Sequence, residues 1–76
     1  MGIFFNYLVG KISKECKIPE SEISSTLSWG DRYAPKVDMV SISIAIKNYK
    51  MAFNWRQKQK AIWQIYYHYK ANGLGL

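Results

Sequence analysis

No aspartate or glutamate occurs after Asp38, although the chain runs on to Leu76. That second half carries Lys47, Lys50, Arg56, Lys58, Lys60 and Lys70, which together account for the whole net charge of +6. Residues 1–38 are neutral, since Lys11, Lys14, Lys17, Arg32 and Lys36 are balanced by Glu15, Glu20, Glu22, Asp31 and Asp38. Cations with no carboxylate nearby to screen them point to an anionic partner; the alternative is a solvated fringe that only keeps an apolar protein soluble.

Other scarcities narrow the field further. A lone cysteine, Cys16, excludes an intrachain disulfide, and a lone histidine, His68, excludes a Cys/His metal cage, so no metal or cofactor is expected. The apolar start (Ile3, Phe4, Phe5, Leu8, Val9) is interrupted by Lys11 and Lys14, far short of a membrane span. There is no charged-then-apolar leader with a small-residue cleavage site, and a single thiol suits a reducing compartment; a cytoplasmic protein is expected. The five carboxylates have no acid/base spacing, His68 has no acid in its half to orient it, and the isolated glycines form no phosphate loop. No catalytic residue, small-molecule substrate or enzymatic role is expected.

What is abundant is aromatic: three Trp, six Tyr and three Phe in 76 residues. A chain this short forms one domain and buries only about 60% of the surface its unfolded form exposes, so these rings must supply most of the core.

The first helix is predicted over Ile3 to Cys16, where Phe4/Phe5, Leu8/Val9, Ile12 and Cys16 recur at three-to-four spacing and place Cys16 in the core. Gly10 weakens it modestly. Lys17-Ile18-Pro19 breaks it, and Glu20 to Ile23 makes a helical turn at most, because Ser24, Ser25 and Thr26 compete for backbone bonds. Leu27 to Pro35 is expected to be a connecting loop from which Leu27 and Trp29 plug the core.

The stretch from Val37 to Phe53 reads two ways. Val40-Ser41-Ile42-Ser43-Ile44-Ala45-Ile46 alternates like a strand, which would give an α+β domain with a hairpin at about residues 40–53. The same residues also suit a central helix, with Val37, Val40, Ile44 and Met51 on one side and Ile42, Ile46, Tyr49 and Phe53 on another. Helix is the expectation adopted here.

Asn54 can cap a last helix from Trp55 to about Lys70, ended by Asn72-Gly73 and followed by a frayed tail at 73–76. On a helical wheel Trp55, Ile62, Ile65, Tyr66 and Tyr69 share one face, and Arg56, Lys60, Trp63, Tyr67 and Lys70 the opposite one. Long cations can neutralise phosphates or an acidic protein surface, and exposed rings can stack or anchor. An anionic membrane surface would be met by the same pattern. The expected partner-binding residues are therefore Arg56, Lys60, Trp63, Tyr67 and Lys70, supported by Lys47, Lys50 and Lys58.

From about residue 4 to residue 70 the sequence resembles the acyl carrier protein family. The resemblance rests on a first helix ending in Lys17-Ile18-Pro19-Glu20-Ser21-Glu22-Ile23 and on the polar run Ser24 to Ser28 ending in the aromatic Trp29. It rests also on Asp31 to Val40, which falls on the family's Asp-Ser-Leu segment and the start of its second helix. It implies an all-α bundle of three to four helices. Carrier chemistry is not implied, because the family's phosphopantetheine-bearing serine falls at Lys36, and Lys47 and Lys50 occupy a helix that the family makes acidic.

A second resemblance, over Ile12 to Leu27, is to the helix-turn-helix motif, with small residues (Ser13, Cys16) where its helices cross. It implies DNA contacts at Ser21, Ser24 and Ser25. Lys17 stands where the motif has glycine, and Glu20 and Glu22 are poor neighbours for phosphates. The first expectation is thus a binding or adaptor protein using the basic–aromatic face against an acidic protein or nucleic acid. The alternative is a DNA-binding regulator using residues 12–27.

Overall fold

The computed structural model describes residues 3–28 and 40–71. They form four helices: α1 (Ile3–Cys16), α2 (Glu20–Ser28), α3 (Ile42–Lys50) and α4 (Trp55–Ala71), with no strand among the described residues. The fold is the expected small all-α bundle. The expected plug Trp29, the rest of the loop to Pro35, the Lys36 position, Val37 and the tail at 73–76 with its Asn72-Gly73 stop lie outside the described residues.

The alternating run is helical from Ile42, and the hairpin alternative does not form. Ser41 sets the start: its backbone is extended (φ −64, ψ 155) and its side chain accepts the Ile44 N–H at 3.4 Å. Tertiary packing then overrides the β-branched preference. Ile42, Ala45, Ile46 and Tyr49 recur at three-to-four spacing and turn inward, with Ala45 wholly buried, and α3 packs chiefly on α4. The other side of the helix faces out, with Ile44 49% and Met51 65% exposed, so α3 is not the central helix.

That place belongs to α4. Five consecutive residues, Ala61 to Ile65, are buried, and five residues sweep more than a full turn. A helix buried all round has no outward face at that level. Around it close Leu8 and Ile12 of α1, Ile23 and Leu27 of α2, and Ile18 from the turn between them.

The second helix is a correction to the sequence expectation. It continues past Ile23 to Ser28, so Leu27 plugs the core from a helix rather than from a loop. Pro19 O accepts both the Glu22 and Ile23 N–H groups, and Glu20 and Glu22 complement the positive end of the helix dipole. The serines do bond the backbone, but within the helix: Ser25 Oγ donates to Glu22 O at 3.4 Å and Ser28 Oγ to Ser25 O at 2.9 Å. They decorate the helix instead of competing with it. Burial of Ile23, Thr26 and Leu27 holds it in place, although the Thr26 hydroxyl is buried with no hydrogen-bond partner.

Candidate functional site

The basic–aromatic stripe of α4 is only partly a surface. Arg56, Lys60 and Lys70 are exposed, but Trp63 is 7% exposed and belongs to the core, and Tyr67 is half-buried. Trp63 packs edge-on against Tyr66 at 5.5 Å and tilted against Tyr67 at 5.3 Å between ring centroids. Conversely, Trp55, expected on the inward face with Ile62 and Ile65, is 45% exposed. Both corrections have one cause: the wheel assumed a surface helix of constant orientation, whereas α4 starts in solvent and is engulfed nearly two turns later. Its start is as expected, with Asn54 Oδ1 accepting the Gln57 N–H at 2.9 Å.

The supporting lysines sit on another element or at its margin. Lys47 and Lys50 are exposed in the last turn of α3, where they complement the negative end of its dipole. Lys58 is half-buried, with its ammonium 5.6 Å from the Tyr49 ring centroid. Lys70 lies 6.0 Å from that of Tyr66.

Two polar clamps join elements far apart in sequence. The Tyr49 hydroxyl donates to Glu22 Oε1 at 2.5 Å, tying α3 to α2. Burial, followed by the Glu22 carboxylate, pushes the Tyr49 phenol up to about 12. The Tyr69 hydroxyl donates to Glu15 Oε1 at 2.6 Å, and Glu15 also pairs with Lys11 at 3.0 Å. With its proton committed to Glu15, Tyr69 accepts from the Cys16 thiol, 3.7 Å away. The Tyr69 hydrogen bond, then that of Lys11, holds the Glu15 carboxyl below its usual range, while burial pushes the Cys16 thiol up. Cys16 is a core thiol with the character of an inert one.

The corner between α1 and α2 is short and well fixed. Three residues, Lys17, Ile18 and Pro19, separate the helices. Lys17 takes the left-handed conformation at φ 59, filling the place a glycine would ordinarily take after a helix end. Ser13 Oγ donates to Ile18 O at 2.6 Å and stitches the turn back to α1, while Ile18 is buried. Beyond the corner Ser21, Ser25 and Ser28 are exposed at spacings of four and three, one stripe of α2 opposite Ile23 and Leu27, with Ser24 half-buried at its edge. Lys14 and Lys17 are exposed beside the turn.

No protein-family model, curated protein or solved structure matches the chain. Among the described residues no group of His, Cys, Asp and Glu could hold a metal ion, and no helix is long and apolar enough to cross a membrane.

Sequence reasoning missed the exposed stripe position of Ser28 and the pairing of Tyr49 with Glu22. Ser28 completes the stripe begun by Ser21 and Ser25, a spacing visible once α2 is extended past Ile23. Tyr49 and Glu22 are 27 positions apart, and no local pattern announces such a pair.

Proposed function

We propose that the chain is a helix-turn-helix module that binds duplex DNA, with α2 as the element entering the major groove. The observation that carries this is the corner itself: two helices joined by three residues with a left-handed Lys17, the second helix presenting a hydroxyl stripe outward from an apolar inner face. Serine hydroxyls can meet base edges or phosphates, and those of Ser25 and Ser28 keep acceptor lone pairs while donating to their own helix. Lys14 and Lys17, flanking the turn, are placed to neutralise backbone phosphates.

The acidic residues of α2 argue less strongly against DNA than their positions in sequence suggest. Glu22 is half-buried and its carboxylate accepts from the Tyr49 hydroxyl, away from the outer serine stripe. Glu20 stays exposed at the helix start, and its replacement by Gln should tighten binding. The competing adaptor reading loses its main anchor, because Trp63 is part of the core. Its cations, Arg56, Lys60 and Lys70, remain available for attraction alone.

Binding to fluorescent duplexes of pooled random sequence, measured by anisotropy over a salt series, tests the proposal. Affinity should fall steeply with salt, with a slope of about 0.9 per phosphate neutralised. Ser21→Glu combined with Ser25→Glu should weaken it at least about tenfold, since each puts a carboxylate against phosphates. Unchanged binding by that double variant would sink the proposal.

A further inference from the structure

The turn between α3 and α4 exposes a part-apolar groove that the proposed DNA-binding surface does not use. It has a volume of about 510 Å³, with Val40, Met51, Phe53 and Ala61 as apolar lining and Lys60 and three amide side chains on its walls. Phe53 is 93% exposed and Met51 65%. Neither is a loose end. The Phe53 N–H donates to Gln57 Oε1 at 2.7 Å, the Gln57 N–H donates to Asn54 Oδ1, and the Ala52 N–H bonds Tyr49 O, so capping bonds hold the turn in a form that presents the ring to solvent. A fixed, outward phenylalanine beside a pliant methionine is the composition of a contact surface.

Charge selects the occupant. Lys60 borders the groove, and Lys47 and Arg56 are exposed on the two helices that form it. No Asp or Glu occurs from residue 39 onward to counter them. A second copy docking here would bring the same positive charge against itself, and like-charge juxtaposition opposes docking. We infer that the α3–α4 groove receives a short acidic segment of a partner protein, whose large apolar side chains enter beside Phe53 and Met51 while its carboxylates meet Lys60, Lys47 and Arg56. The inference stands independently of DNA binding by α2.

Panning a random-peptide phage library on the intact chain tests it with no partner in hand. The recovered peptides should be rich in Asp and Glu around Leu, Phe, Trp or Met. Anisotropy of the leading synthetic peptide should show binding weakened about tenfold or more by Phe53→Ser, as for an anchor residue, and also weakened by Lys60→Glu. Phe53→Ser should leave circular dichroism and thermal melting as in the parent chain, because the ring touches so little of the fold. The inference is overturned if no peptide is enriched, if enrichment lacks acidic residues, or if binding survives both substitutions. It is equally overturned if sedimentation reveals a dimer that Phe53→Ser dissolves, which would give the groove to a second copy.

Discussion

Replacing Lys17 by glycine should stabilise the protein, and replacing it by valine should do the reverse. Lys17 is exposed and sits at φ 59, where a side chain other than glycine's crowds the following carbonyl at a cost of roughly 1–2 kcal/mol. Glycine removes that cost but gives back about 0.5–1 kcal/mol through the greater freedom of its unfolded chain. The net gain is about 0.5 kcal/mol, or roughly 2–4 °C in melting temperature for a domain of this size. Valine, branched at Cβ, should lose roughly 1–2 kcal/mol. Lys14→Gly is the control. It lies three residues earlier inside α1, and there glycine should cost about 0.5–1 kcal/mol. Thermal denaturation followed by far-UV circular dichroism resolves these differences. Were Lys17→Gly to destabilise as much as Lys14→Gly, with Lys17→Val neutral, the chain would have no left-handed corner at this point. The presentation of α2 would then fall with it.

Trp63→Ala should cost about 3–5 kcal/mol, a large part of the total stability of a small domain, whereas Arg56→Ala on the same stripe should stay within about 0.5 kcal/mol; urea denaturation of the two variants checks the contrast. Thr26→Val removes a buried hydroxyl that has no partner and should raise stability by about 1 kcal/mol in the same assay, while a loss would mean that the hydroxyl is satisfied. The Tyr49 phenol, pushed up to about 12 by burial and then by Glu22, favours its protonated form in the folded state. Its contribution is therefore complete below the ordinary tyrosine value of about 10 and is lost as pH rises through about 12; denaturation midpoints measured across that window should fall more for the parent chain than for Tyr49→Phe.

The first and last helices, the break at Lys17 to Pro19 and the cap at Asn54 were legible because each is local: period, proline chemistry and a side-chain oxygen three residues from the N–H it accepts. The inward side of α3 was half legible. Ile42, Ile46 and Tyr49 form a recognisable stripe, but only contact with α4 decides that it, and not Ile44 with Met51, turns inward. The length of α2 escaped because three polar residues after Ile23 look like a loop until Leu27 is seen to be buried four positions on. The candidate site was least legible where environment outweighs residue type. Trp63 and Phe53 are both large apolar rings, yet one lies in the core and the other in solvent, since Trp63 is on the turn of α4 that the bundle closes around and Phe53 precedes it. Glu22 reads as an exposed helix-start acid in sequence, and the hydroxyl that claims it comes from another helix.

The most direct test of DNA binding through α2 is to titrate the labelled protein with duplex DNA and map amide chemical-shift changes residue by residue. The largest changes should fall on the corner and the outer face of α2, at Lys17, Ser21, Ser24, Ser25 and Ser28, with Ile23 and Leu27 moving little. Changes concentrated on Arg56, Lys60 and Lys70, with the serines of α2 unmoved, would contradict the proposal and return the interface to the basic flank of α4.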